Sequence, residues 1–190
     1  MLVEYFDWDG NPSTNSDGAY QTYYEYDDIG QCISMSSLNM YGKRMIDHAG
    51  NCGQISKYDG YRRVEILSVD EFGREKSVKN GFSRVMYEYD NNGREIKMSL
   101  WNENGPVCPN SIKFHIRKTS YDDTNNSVEV RCYNSEEELT NLTKYIFDTK
   151  GNLLYYSENT NGKITIQNSK YNKKSECVFQ NEITTEGLDT

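Results

Sequence analysis

The sequence predicts an all-β fold, either an extended antiparallel sheet or a solenoid-like stack of β-hairpins. Three observations support this prediction: the motif Asp-x-x-Gly recurs at near-constant spacing, apolar and polar residues alternate around it, and 16 Tyr and 14 Gly accompany only two Ala and three Pro. Small repeats cannot bury an apolar face alone and must stack on their neighbours. A compact β-sandwich is the alternative.

The Asp-x-x-Gly motif predicts the turns of these hairpins. Asp at the first position bonds backbone amides ahead of it, and Gly at the fourth accepts a left-handed backbone, as in a type I turn with a glycine bulge. The first five Asp residues step by 20, 20, 23 and 20, which predicts repeats of about 20 residues. The six turns are Asp7–Gly10, Asp27–Gly30, Asp47–Gly50, Asp70–Gly73, Asp90–Gly93 and Asp148–Gly151.

Strands are predicted on both sides of each turn. Aromatic or apolar residues lie one and three places before the Asp, as in Tyr24 and Tyr26, and the alternation resumes after the Gly. One segment also fits a helix, because Ser135–Glu138 has the spacing of a capping box and Leu139 follows. A charged hairpin tip between two strands is the favoured interpretation of that segment.

The regularity of the pattern divides the chain into four parts. Residues 1–105 hold regular hairpin repeats, and residues 106–142 form an irregular insertion or a divergent repeat. Residues 143–180 return to divergent hairpin repeats. Residues 181–190 are polar and aperiodic, which predicts a disordered end or a cap.

Five cysteines with no C-x-x-C pair and no His nearby at metal-ligand spacing favour reduced thiols and no metal site. Cys32 and Cys52 each follow a repeat glycine by two places, so we take them as equivalent, with a bridge between them as the less favoured alternative. The sequence shows no signal peptide or membrane span. We expect a cytoplasmic protein if the chain is complete, and a surface or secreted one if it is part of a longer protein.

The sequence predicts no catalytic residues and no cofactor. His48 and Cys52 are suitable types for a nucleophilic pair, but the flanking sequence supplies no third orienting group or oxyanion loop. The loop beginning at Asp7 resembles a calcium loop, yet the position that should carry its bidentate acid is Gly18. Short basic clusters on a chain of net charge −8 do not form a nucleic-acid groove. We therefore expect neither an enzyme nor a nucleic-acid-binding protein.

Charge is concentrated at the N-terminus. Residues 1–42 contain seven acids and no Lys or Arg, whereas the remainder balances 21 bases against 22 acids. Such an acidic, aromatic surface attracts a basic partner. The alternative is a solvated hairpin face with Asp at its turns. The predicted partner-binding residues are Asp7, Trp8, Asp9, Asp17, Tyr23, Glu25, Asp27 and Asp28.

The blocks Glu4–Pro12, Gly18–Gly30 and Gly81–Gly93 resemble the tyrosine- and aspartate-rich repeats of bacterial proteins, both the YD repeats of RHS-type proteins and the MORN-variant repeats of small antitoxin-like proteins. The resemblance covers residues 4–105 well and 143–166 more loosely, whereas 106–142 depart from it. It implies a non-catalytic scaffold, since YD repeats build shells around toxins and MORN-variant proteins often accompany toxin genes. Neither family supplies catalytic residues.

Three functions therefore remain open. The first is a protein-binding module that holds and inhibits a basic partner, such as a toxin. The second is a fragment of a surface protein that binds glycans or cell wall through Tyr and Trp, and the third is a structural spacer. Exposed sheet edges also predict pairing with another chain, a homodimer through an edge strand being one form of it.

Overall fold

The chain forms one open antiparallel sheet, which confirms the predicted fold class. The computed structural model describes residues 1–186, and this range contains no helix. The sheet does not close on itself or pack against a second sheet, so the sandwich alternative is wrong. The strands are β1 (Leu2–Glu4), β2 (Gln21–Tyr26), β3 (Cys32–Leu38), β4 (Gly53–Asp59), β5 (Arg62–Val69), β6 (Arg84–Tyr89), β7 (Glu95–Asn102), β8 (Gly105–Pro106), β9 (Ile116–Asp122), β10 (Ser127–Tyr133), β11 (Leu139–Phe147), β12 (Leu153–Thr160), β13 (Lys163–Tyr171) and β14 (Cys177–Glu186).

The strands follow one another across the sheet in chain order. Only β8 departs from this path, since it pairs with β7 alone while β9 continues the sheet beside β7. Every pairing is antiparallel, as expected when successive strands are joined by hairpin connections. The result is a meander in which each strand contacts its sequence neighbours.

In the first half of the sheet, long and short connections alternate, and equivalent positions recur every 31 or 32 residues. Each unit has three turns, two in the long connection at one end of the strands and one at the other end. Asp7, Asp47 and Asp27 lie in the first, second and third turn respectively. The equivalent residues are 7, 39, 70 and 102 in the first turn, 15, 47 and 78 in the second, and 27, 59, 90 and 122 in the third.

The hairpin stack is therefore present, but the spacing of about 20 residues connects turns that are not equivalent. Asp27 and Asp47 lie at opposite ends of β3, and so do Cys32 and Cys52: Cys32 begins β3, while the Cys52 carbonyl accepts from Ser37 N near its end (3.0 Å). Five residues of strand separate the two ends by roughly 17 Å, well beyond the reach of a disulfide. All five cysteines, which lie within the described range, are free thiols.

The second half is a plain meander of hairpins with short turns. The favoured interpretation of residues 135–142 is confirmed: Asn134 caps a tight turn through Glu136 N and Glu138 N, and Glu137 takes a positive φ of 64°. Residues 181–186, predicted as an aperiodic tail, are instead the second half of β14 and pair with β13. The rest of that predicted tail, residues 187–190, lies outside the described range.

The core is small and lies at the end of the sheet that carries the long connections. Its apolar members are Ala19, Cys52, Val69, Val85, Leu100 and Ile116. Serines and His115 fill the space between them, and these polar groups are bonded: His115 Nδ1 lies 2.6 Å from the Leu100 carbonyl and Ser83 Oγ donates to Glu75 (2.6 Å). Hydrogen-bonded small residues replace a deep apolar core here, because a single sheet has no second layer to pack against.

A tyrosine ladder joins each unit to the one before it. Tyr58, Tyr89 and Tyr121 each donate their hydroxyl to the backbone carbonyl of the residue 26 positions earlier, over 2.8–3.0 Å. The acceptors are Cys32, Arg63 and Glu95. The first two tyrosines lie at bulges in the strand pairing. The alternating tyrosines thus pack on the sheet and also connect neighbouring units through their hydroxyls.

The turn ends supply further contacts between units. At the short-turn end, Gln31 donates to the Gly60 carbonyl (3.1 Å) and Arg62 to the Asp90 carbonyl (3.3 Å). At the long-connection end, backbone bonds join successive second turns, such as His48 N to the Asp17 carbonyl (2.8 Å). Each unit is therefore held to its neighbour at both ends as well as through the strands.

Candidate protein-binding surface

The eight predicted partner-binding residues lie at the β1 edge of the sheet, in three places. Asp7, Trp8, Asp9 and Asp17 lie in the long connection between β1 and β2, and Asp27 and Asp28 lie in the turn after β2. Tyr23 and Glu25 lie between these groups on one face of β2. The six residues of β2 separate the two ends by roughly 20 Å. A partner contacting all eight would have to span the length of a strand.

Two of the acids are committed to holding their own turns. Asp7 Oδ1 accepts from the backbone N–H groups of Asp9 (3.0 Å) and Asn11 (2.8 Å). Asp27 Oδ1 accepts in the same way from Ile29 and Gln31. The Asn11 backbone bond is the main cause that lowers the pKa of Asp7 below its ordinary value. These two carboxylates shape the loops, whatever else they contact.

Four other acids have no such structural role. Asp9, Asp17, Glu25 and Asp28 are exposed, and their carboxylates accept no hydrogen bond within residues 1–186. An exposed, unpaired carboxylate keeps its full charge available to a partner and contributes little to the stability of the fold. These four side chains are therefore the part of the predicted set that can be changed without disturbing a turn.

The turns of the N-terminal unit lack a countercharge that the turns of the third unit possess; the later turn at Asp148, where Asn152 donates to the aspartate, lacks it as well. In the third unit, Arg74 and Arg94 follow their turn aspartates by four residues and pair with them, each over 2.8 Å. In the first unit the same positions hold Asn11 and Gln31, whose amides donate to Asp7 (3.3 Å) and Asp27 (3.0 Å). The turn geometry is preserved by an amide, but the negative charge is left uncompensated.

Large exposed side chains recur at the tips of the first turns. Trp8 is fully exposed, Tyr41 is 80% exposed and Phe72 is 72% exposed. Only Trp8 was singled out by the sequence. Tyr41 and Phe72 lie one place later in their turns, at the position that Asp9 occupies in the first unit when units of 31 or 32 residues are aligned. Successive units are two strands apart, so these tips are spaced by roughly 10 Å along one end of the sheet. Exposed aromatic residues in a row are typical of interaction surfaces.

The surroundings of His48 and Cys52 do not favour a nucleophilic pair. His48 Nδ1 lies 3.0 Å from the Ser16 carbonyl, so its ring packs against the preceding unit. Burial raises the pKa of the Cys52 thiol, which opposes formation of the reactive thiolate. Residues 1–186 also hold no cluster of three His, Cys, Asp or Glu side chains arranged to bind a metal.

A concave region that the sequence did not indicate lies over β10–β12 and has a volume of about 510 Å³. Within it the Glu158 carboxylate accepts from Tyr156 (2.8 Å) and Asn141 (2.7 Å). The bond from Tyr156 is the main cause that lowers the pKa of Glu158, while burial, followed by this bond, raises the pKa of Tyr156 to about 12. The network is largely satisfied within the chain, as expected of a structural element.

No helix in the described range has the length and apolar character needed to cross a membrane. No model of a known protein family matches the sequence, and no curated protein matches it. The candidate surface is thus defined by its own geometry: an acidic β1 edge, four unpaired carboxylates and a row of exposed aromatic tips.

Proposed function

We propose that this chain is a non-enzymatic protein-binding repeat protein whose acidic N-terminal unit holds a basic partner. The observation that carries the proposal is the change at the position four residues after the turn aspartates, from arginine at 74 and 94 to an amide at 11 and 31. The fold accommodates either residue, so the missing countercharges are not a requirement of the turn. An acidic surface that the fold does not need fits recognition of a basic protein.

Exposed aromatic side chains beside these acids support the same function. Interfaces gain most of their affinity from a few buried rings, while complementary charge increases the rate of encounter. Trp8 is fully exposed between Asp7 and Asp9. Tyr23 and Glu25 lie two residues apart on β2 and therefore share one face of that strand. The resemblance to antitoxin-like repeat proteins makes inhibition of a bacterial toxin the form of this function that we favour.

The test is affinity capture from the cells that produce the chain, with the wild-type chain and an Asn11→Arg/Gln31→Arg variant as baits. The two substitutions copy Arg74 and Arg94, so they keep a donor for each turn aspartate and change the charge of the surface by two units. We expect the wild type to retain a basic protein that elutes as salt rises. The variant should retain much less of it.

The matched control is Arg74→Gln/Arg94→Gln, which makes the corresponding change of opposite sign in the third unit, away from the acidic N-terminal unit. It should leave capture unchanged. Equal capture by all three baits, or capture of an acidic partner, would contradict the proposal. Circular dichroism of each bait establishes that the sheet is intact.

Glycan binding is the second candidate, and the row formed by Trp8, Tyr41 and Phe72 favours it. Sugars stack on exposed aromatic rings, and Trp8 would report such stacking by fluorescence. This candidate predicts sugar-dependent quenching that is lost in Trp8→Ala but retained in Asn11→Arg/Gln31→Arg. The two candidates therefore respond to different substitutions.

A further inference from the structure

The strand β14 is an unprotected sheet edge. It ends the strand order and spans ten residues, whereas β1 at the opposite edge spans three. Natural sheets protect long edges with Lys, Pro or a bulge in the strand. Residues 178–185 contain no Lys and no Pro, Glu182 is their one charged residue, and the one irregularity of register lies at the start of the strand, opposite Tyr171. From Phe179 onward the edge is regular.

The outward part of this edge is also apolar on one face. Phe179 is 48% exposed and Ile183 is 52% exposed, and both lie on the face that also carries Asn181. On the inner side, Lys170 lies over the Phe179 ring (5.6 Å) and Ile183 is paired with Ile166. The opposite side of each residue faces the open edge, where a further strand would cover it.

We propose that two copies of this chain pair through β14 to form a symmetric dimer with one continuous sheet. A two-fold axis between antiparallel strands is perpendicular to the sheet, so one residue must lie opposite its own copy. Four residues near the middle of the strand are available: Gln180, Asn181, Glu182 and Ile183. Their side-chain pairs differ enough to select one register.

Only the register centred on Asn181 pairs Phe179 with Ile183. A centre at Ile183 places Ile183 opposite its own copy and leaves Phe179 without an apolar partner. A centre at Glu182 places two carboxylates opposite each other, and a centre at Gln180 places Val178 opposite Glu182. A centre at Asn181 places Phe179 opposite Ile183 twice, and Gln180 opposite Glu182. Both apolar pairs then lie on one face, on either side of the axis, where they cover the exposed parts of Phe179 and Ile183.

The Asn181 side chain lies at the same position. Its Oδ1 is covered by the chain's own atoms and has no hydrogen-bond partner within the described residues. In the selected register the Asn181 side chain of the second copy lies directly opposite, and rotation of both amides out of their present positions lets each donate to the other.

The first test is sedimentation of the 190-residue chain from low to high micromolar concentration, together with the variants Phe179→Lys and Ile183→Glu. We expect a concentration-dependent dimer. Each variant alone replaces both apolar pairs with a charge facing an apolar side chain and should weaken the dimer at least about tenfold. An equimolar mixture of the two has one ion pair and one intact Phe179–Ile183 pair, so it should regain dimer.

Cross-linking tests the position of the axis. Asn181→Cys in a Cys177→Ser background places two thiols opposite each other, with Cα atoms about 4.5–5.5 Å apart, within disulfide range. Gln180→Cys in the same background is the matched control, since its two copies lie roughly 8 Å apart. A monomer at all concentrations, no recovery in the mixture, or equal cross-linking at both positions would overturn the proposal.

Discussion

Replacing Gly53 by alanine should separate β3 from β4. A Cβ built at Gly53 lies 2.2 Å from the Met35 carbonyl oxygen and 3.1 Å from the Ser36 Cα, both of them backbone atoms. Because real Cβ contacts stay above 3.0 Å, one strand must move by at least 0.8 Å. A flexible side chain could rotate away from such a contact, but a paired strand cannot.

The expected loss in free energy of unfolding follows from the short pairing between β3 and β4. Their register covers three pairs, Ser34 with Ile55, Met35 with Gln54 and Ser36 with Gly53. Displacement at one end of so short a pairing loses two or three backbone hydrogen bonds, each worth about 1 kcal/mol net. We therefore expect Gly53→Ala to lower the free energy of unfolding by about 2–3 kcal/mol, a large share of the stability of an ordinary domain.

Urea unfolding followed by circular dichroism measures this cost, with Gly10→Ala as the matched control. Gly10 has a φ of +81° and nothing within 4 Å of its added Cβ, so alanine there meets only the conformational penalty of about 1 kcal/mol. A lower midpoint at an unchanged slope identifies a loss of stability. If Gly53→Ala costs no more than Gly10→Ala, the argument from backbone contact is wrong.

Three further predictions concern the tyrosine ladder and the titrating groups. Tyr89→Phe removes the bond to the Arg63 carbonyl (2.8 Å) and should cost about 1 kcal/mol in urea unfolding, and an equal midpoint for the two proteins would refute this. The turn aspartates have pKa values below the ordinary 3.8, so their contribution to stability is present above that value and is lost as pH falls through the lowered pKa. The thermal unfolding midpoint should therefore decrease once the pH is below about 4, and a midpoint that stays constant down to about pH 2 would contradict this prediction. Tyr156 has a pKa raised from 10.0 to about 12, so its contribution to stability is present below pH 10 and is lost between the two values; ultraviolet titration should show this late ionisation, and Glu158→Gln should bring it to lower pH.

Local pattern was sufficient to predict the hairpins, because each turn and its flanking strands carry their signal within about ten residues. The grouping into units was not predictable from Asp-x-x-Gly alone, since Asn15, Asn39 and Val78 occupy equivalent turns without an aspartate. Asn can bond backbone amides as Asp does, as Asn39 does for Tyr41 and Lys43. A search for a single residue type therefore misses part of the repeat.

The candidate site was predictable only as a segment rich in acidic and aromatic residues. Composition located the acidic segment, but it could not separate Asp7, which closes a turn, from Asp9, which faces solvent. The two differ only in where their oxygens point, and that is decided by the turn. The exposed side chains at Tyr41 and Phe72 could be recognised as recurring only after the units were aligned. Residues 181–186 form a strand, but the sequence around them has no Asp-x-x-Gly turn that would have marked it.

The constant offset of 26 residues in the tyrosine ladder makes the width of this protein adjustable. Each tie joins a unit only to the one before it, so duplicating or deleting a block of 31 or 32 codons would leave every remaining hydroxyl with an equivalent carbonyl to bind. One such event would broaden or narrow the sheet by two strands, about 10 Å, without repacking a central core. Unequal recombination between repeats could therefore change the reach of the molecule in a single step while both of its edges keep their sequence.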